Sequence, residues 1–133
     1  MKGCSEAQAL IRGERGFPCV AGCVRVSPLR CGSMVQIHIH GLPCSVSRFG
    51  FSIEQCGRRI LTASLTNAGG EALLSVYTDA FLPCEIIGAN AVVTSDPCAP
   101  CACMVACGCF QHLVRPGCCP PDPRPLFAAP IRR

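Results

Sequence analysis

The segment CAPCACMVACGCF places Cys98, Cys101, Cys103, Cys107 and Cys109 within twelve residues. Thiolates at such spacing can bind Zn²⁺ or Cu(I), since soft sulfur ligands favour both ions. Geometry limits which of them can act together. If Cys103–Phe110 is one extended strand, Cys103 and Cys109 lie roughly 20 Å apart and cannot share an ion. A mononuclear site would therefore use Cys98, Cys101 and Cys103, with a fourth ligand from elsewhere, such as Cys118 or Cys119. A lone C-x-x-C without a second regularly spaced pair is a weak zinc signal. Small structural cysteines and disulfides are the other two readings, and the sequence leaves all three open.

A second candidate is VQIHIH. Alternation puts Val35, Ile37 and Ile39 on one strand face and Gln36, His38 and His40 on the other. The apolar set is the buried one, so two imidazoles share the outer face, roughly 6–7 Å apart at Cα. They would need a third ligand from a neighbouring strand to hold a metal, and the sequence shows none. Without it the pair is a solvated strand face. Glu54 and Glu85 are a conceivable carboxylate pair, but no acid–base partner is evident. Arg58–Arg59 reads as a solvated turn. There is no G-x-S-x-G, Walker loop or dinucleotide fingerprint.

The elements that would position these residues are short strands. Alternating runs occur at Ala7–Ile11, Cys23–Val26, Val35–His40, Phe49–Ile53, Leu73–Tyr77, Ala91–Val93 and Cys103–Phe110. Stretches rich in Gly, Pro, Asn or Ser separate them. With no convincing amphipathic helix, this pattern predicts an all-β sandwich or barrel. The chain of 133 residues suits one domain over residues 1–110, followed by a Pro-rich, basic tail over 111–133 expected to be extended or disordered.

Charge is uneven. Residues 1–109 carry eight basic and seven acidic side chains, whereas Arg115, Arg124, Arg132 and Arg133 face only Asp122 in the tail. Neither a dense basic stripe nor stacking aromatics is present, which argues against nucleic acid as a partner. No apolar run is long enough for a membrane span, and MKGCSEAQALIRGERG lacks the apolar core of a signal peptide. The expectation is a soluble, cytoplasmic protein. Fourteen cysteines stand against that expectation, because disulfides rarely persist in a reducing compartment.

Several pieces, in order, resemble the copper/zinc superoxide dismutase family, especially its short bacterial branch. GLPCSVSRFGFSIEQCG is similar to that family's GL/GLP turn followed by F-G-F-H-x-H-E-x-G. NAGGEALLSVYTDAFLPCEIIGANAVVTSD resembles its N-x-G-x-A, T-D-x-F and E-I-I-G segments and then V-I-I-H with a following acidic residue. ACGCF resembles the closing A-C-G-V-I strand, and ALIRGERGFPCVAGCVRV the opening hairpin. Together they cover roughly residues 6–110.

The resemblance implies a Greek-key β-barrel of about eight antiparallel strands, with copper and zinc held outside it under two long loops. It also implies ligand positions, which this chain does not fill with ligands. Ser52 and Glu54 stand where two copper-binding histidines are expected, and Thr94 where a third is. The loop carrying the bridging histidine and the zinc ligands is reduced to about RRILTASL, without His or Asp. Met104 and Val105 stand where the arginine that guides superoxide is expected. His38 and His40 precede the GLP turn and are not displaced copies of the lost ligands. The family disulfide maps onto Cys107 and, three positions before its usual place, Cys56.

Copper that cycles between two oxidation states needs several imidazoles in a fixed arrangement, which two hydroxyls and a carboxylate do not supply. The resulting expectation is a dismutase-like domain without dismutase activity and without a resident cofactor. Its role would be structural or interactive, through self-association or another protein at barrel surface that the shortened loops leave uncovered. A Cys-rich copper or zinc binder and a dismutase with a rebuilt metal site are the alternatives.

Overall fold

The computed structural model describes residues 6–95 and 104–113. Eight strands follow one another along the chain: β1 Ala7–Gly13, β2 Ala21–Leu29, β3 Gly32–His40, β4 Arg48–Gln55, β5 Arg58–Thr66, β6 Ala72–Thr78, β7 Asn90–Thr94 and β8 Met104–His112. A 3₁₀ turn at Pro83–Ile86 precedes β7, and no α-helix occurs among the described residues. The strands form one antiparallel sheet in the order β5-β4-β7-β8-β1-β2-β3-β6. Its outer strands β5 and β6 approach each other, so the sheet curls into a nearly closed barrel.

The connections make this a Greek key. β4, β5 and β6 succeed one another around the barrel, and β7 returns to lie beside β4, the spatial order 7-4-5-6. Closure removes most of the exposed sheet edge that would otherwise recruit other strands.

Period two decides what lies inside. β1 buries Ala7, Ala9 and Ile11; β3 buries Val35, Ile37 and Ile39; β4 buries Phe49, Phe51 and Ile53. Phe110 of β8 and Ile86 of the 3₁₀ turn complete the core with no exposed surface. Side chains between these positions point outward, which places Ser52, Glu54, His38 and His40 on the barrel exterior.

One expectation changes. RRILTASL is not a residual loop but strand β5, paired with β4 from Arg48↔Thr66 to Gln55↔Arg58. The connection between them is only Cys56 and Gly57. Both have positive φ, 53° and 78°, the requirement of a tight type I′ hairpin turn. Arg58 and Arg59 accordingly begin a strand rather than form a turn. The sheet also runs slightly past the expected domain end, to His112.

At the opposite end of β5, a side chain ties two loops together. Asn67 Nδ2 donates to the carbonyls of Pro43 (2.9 Å) and Val46 (2.8 Å), while its Oδ1 accepts from Gly70 N (2.8 Å). The backbone adds Leu42 N to Gly70 O at 3.0 Å and Asn67 N to Ser47 O at 2.9 Å. The β3–β4 and β5–β6 loops are thus locked to each other beside the sheet's open seam.

Candidate functional site

Ser52 and Glu54 occupy the outward face of β4, and Thr94 that of β7, where Thr94 pairs with Gly50 and Val92 with Ser52. Thr94 is therefore diagonal to Ser52, about 7–8 Å away, and one further step from Glu54. Ser52 is only 6% exposed although it faces away from the core. Its hydroxyl donates weakly to Glu54 Oε2 at 3.4 Å, and the same carboxylate oxygen lies 3.5 Å from Arg59 Nε. These polar atoms are engaged with one another.

That donor set does not fit copper. It offers two neutral hydroxyls and one carboxylate that already faces an arginine, where a redox copper site calls for imidazoles. The two-residue β4–β5 turn provides no loop between those two strands to supply zinc ligands. Among the described residues, no group of three or more His, Cys, Asp or Glu side chains is placed to hold a metal ion. Glu85, the other conceivable carboxylate, accepts from Leu82 N at 2.7 Å and caps the 3₁₀ turn instead of meeting Glu54.

Cys56 and Cys107 are free thiols, so the bridge implied by the family resemblance is not formed. Register explains why. Cys107 pairs across to Val92, which pairs to Ser52, and Cys56 lies four residues beyond Ser52. Two strand spacings and four residues of rise separate the pair by roughly 15 Å, against the ~7 Å that a disulfide tolerates. Cys19, Cys31, Cys44 and Cys109 are also free and exposed, whereas Cys23 and Cys84 are each half of a disulfide. Cys98, Cys101 and Cys103, the thiolate candidates, lie outside the described residues, as do Cys118 and Cys119.

Cys107 differs from the other free thiols. Partial burial raises its pKa most, and a hydrogen bond to Glu14 with the negative charge of that carboxylate raises it further. The Cys107 Sγ to Glu14 Oε2 distance is 3.4 Å. This thiol is held in its protonated form and is a poor nucleophile.

The other outward face, formed by β1, β2, β3 and β6, is more informative. The ladders align Leu10, Cys23, His38 and Leu73 in one row, and Arg12, Ala21 and His40 in the next. A groove of about 630 Å³ runs over these rows, floored by small residues and Cys23. Leu10 is 58% exposed and Leu73 is 69% exposed, large apolar side chains on a face where alternation places polar ones.

The His38 and His40 rings stand edge to face with centroids 6.0 Å apart, as the alternation of β3 requires. His38 Nε2 lies 3.7 Å from Glu71 Oε2. Arg25 is paired with Glu6 at 2.9 Å. Arg12 and His40 have no ion-pair partner among the described residues. Sequence reasoning found the histidines and missed the leucines and Arg12. The signal for the leucines was present, because ALIRG puts Leu10 in the outward set beside Arg12.

Fold and sites together define an all-β, antiparallel barrel with Greek-key connections, an engaged set of polar side chains on one face and an apolar groove on the other. No family model matches the chain, and no curated protein matches it.

Proposed function

We propose that this protein is a barrel of the copper/zinc superoxide dismutase type that lacks dismutase chemistry and serves in binding. The observation that carries this reading is the outward face of β4 and β7. Ser52, Glu54 and Thr94 stand at the positions the resemblance assigns to copper ligands; Ser52 donates to Glu54, and Glu54 in turn faces Arg59. A barrel fold does not by itself carry the activity of other barrels. What these side chains can do is decided by their donors, and they are not those of a redox copper centre.

The supporting evidence for the family type is the order of the quoted motifs together with the Greek-key connections. The support for a binding role is surface. Leu10 and Leu73 expose apolar area near Arg12, which has no ion-pair partner among the described residues, and monomeric domains usually keep exposed apolar area small unless it is used.

Metal content of anaerobically purified protein, before and after incubation with copper and zinc, tests the reading alongside superoxide turnover. Substoichiometric metal and no turnover are expected. Near-stoichiometric copper with turnover would overturn it. A second reading, a thiolate site for Cu(I) or Zn²⁺, rests on the sequence spacing of Cys98, Cys101 and Cys103. Stoichiometric metal that is lost on Cys98→Ser, with no turnover, would favour that reading instead.

A further inference from the structure

We draw no further inference here: the strongest candidate, the groove over β1, β2, β3 and β6, carries Cys23 on its floor in a disulfide whose other half lies outside the described residues, so nothing in the structure shows what covers it.

Discussion

Asn67→Ala removes three hydrogen bonds with one substitution: two donated to Pro43 and Val46 carbonyls and one accepted from Gly70 N. Each such bond contributes about 0.5–1.5 kcal/mol net. Allowing for water reaching the partly buried carbonyls, the loss should be about 2–4 kcal/mol. That is a large fraction of the roughly 5–15 kcal/mol that holds a typical domain.

Equilibrium urea unfolding under non-reducing conditions measures this loss directly, provided the transition is two-state. Asn67→Asp sharpens the test, because a carboxylate keeps the acceptor for Gly70 but turns an acceptor toward two carbonyl oxygens. At neutral pH it should be at least as damaging as Ala. The folded state disfavours that carboxylate, so its folded pKa is raised above the unfolded one. The associated stability is then present at low pH and lost as pH rises through the folded pKa. Below about pH 4 the protonated acid donates a hydrogen bond to one carbonyl, and the Asp variant should overtake Ala. A loss below about 1 kcal/mol for Ala, or an Asp variant better than Ala at neutral pH, would refute the lock. The loops would then be held by their backbone bonds alone.

Gly41 has φ +77°, and a Cβ there would lie 1.9 Å from the Cys19 carbonyl oxygen, whereas Gly57 has φ +78° with nothing within 4 Å. Gly57→Ala should cost about 1–2 kcal/mol, the conformational penalty alone, and Gly41→Ala clearly more; equal losses in urea unfolding would show that the clash is relieved freely. Cys56→Asn, which creates an Asn-Gly turn at a φ of 53°, should stabilise the β4–β5 hairpin by about 0.5–1 kcal/mol, and an unchanged or lower unfolding midpoint would contradict the turn assignment. Peptide-resolved iodoacetamide labelling at neutral pH should find Cys107 slower than exposed Cys56, because its raised pKa leaves less thiolate. Glu14→Gln should accelerate Cys107, yet not abolish the shift, since burial is its largest cause.

Strand β3 was legible over Val35–His40, because VQIHIH alternates without exception and buries Val35, Ile37 and Ile39 as the pattern demands, although the strand begins earlier, at Gly32. Strand β5 was not. Leu65 is its only fully buried residue, and Arg58 and Arg59 open it, so period two is nearly silent there. The turn before it was obscured for a related reason, since Cys56 takes a left-handed conformation usually signalled by Asn, Asp or Gly. The individual groove residues could be read as outward-facing, but their meeting could not. Leu10, Cys23, His38 and Leu73 come from four strands, and only the register aligns them in one row. Which cysteines are free depends equally on register, as the separation of Cys56 from Cys107 shows.

On the proposed dismutase-type reading, the same alternation explains how a metal site could be lost while its frame persists. Phe49, Phe51 and Ile53 are held by the core at 2% exposure or less, so their identity is tied to folding. Gly50, Ser52 and Glu54 lie between them on the other face, and exchanging them leaves the interior packing untouched. The two-residue Cys56–Gly57 connection suits the scaffold for a related reason, because a short link between antiparallel neighbours lowers the entropy cost of closure. The barrel thus separates folding information from chemical information by strand parity. On β1, β2, β3 and β6 the outward parity is free in the same way, and there it carries Leu10, Arg12, His40 and Leu73. New chemistry on this scaffold is therefore to be sought among outward residues that break the polar rule, and the groove is where they gather.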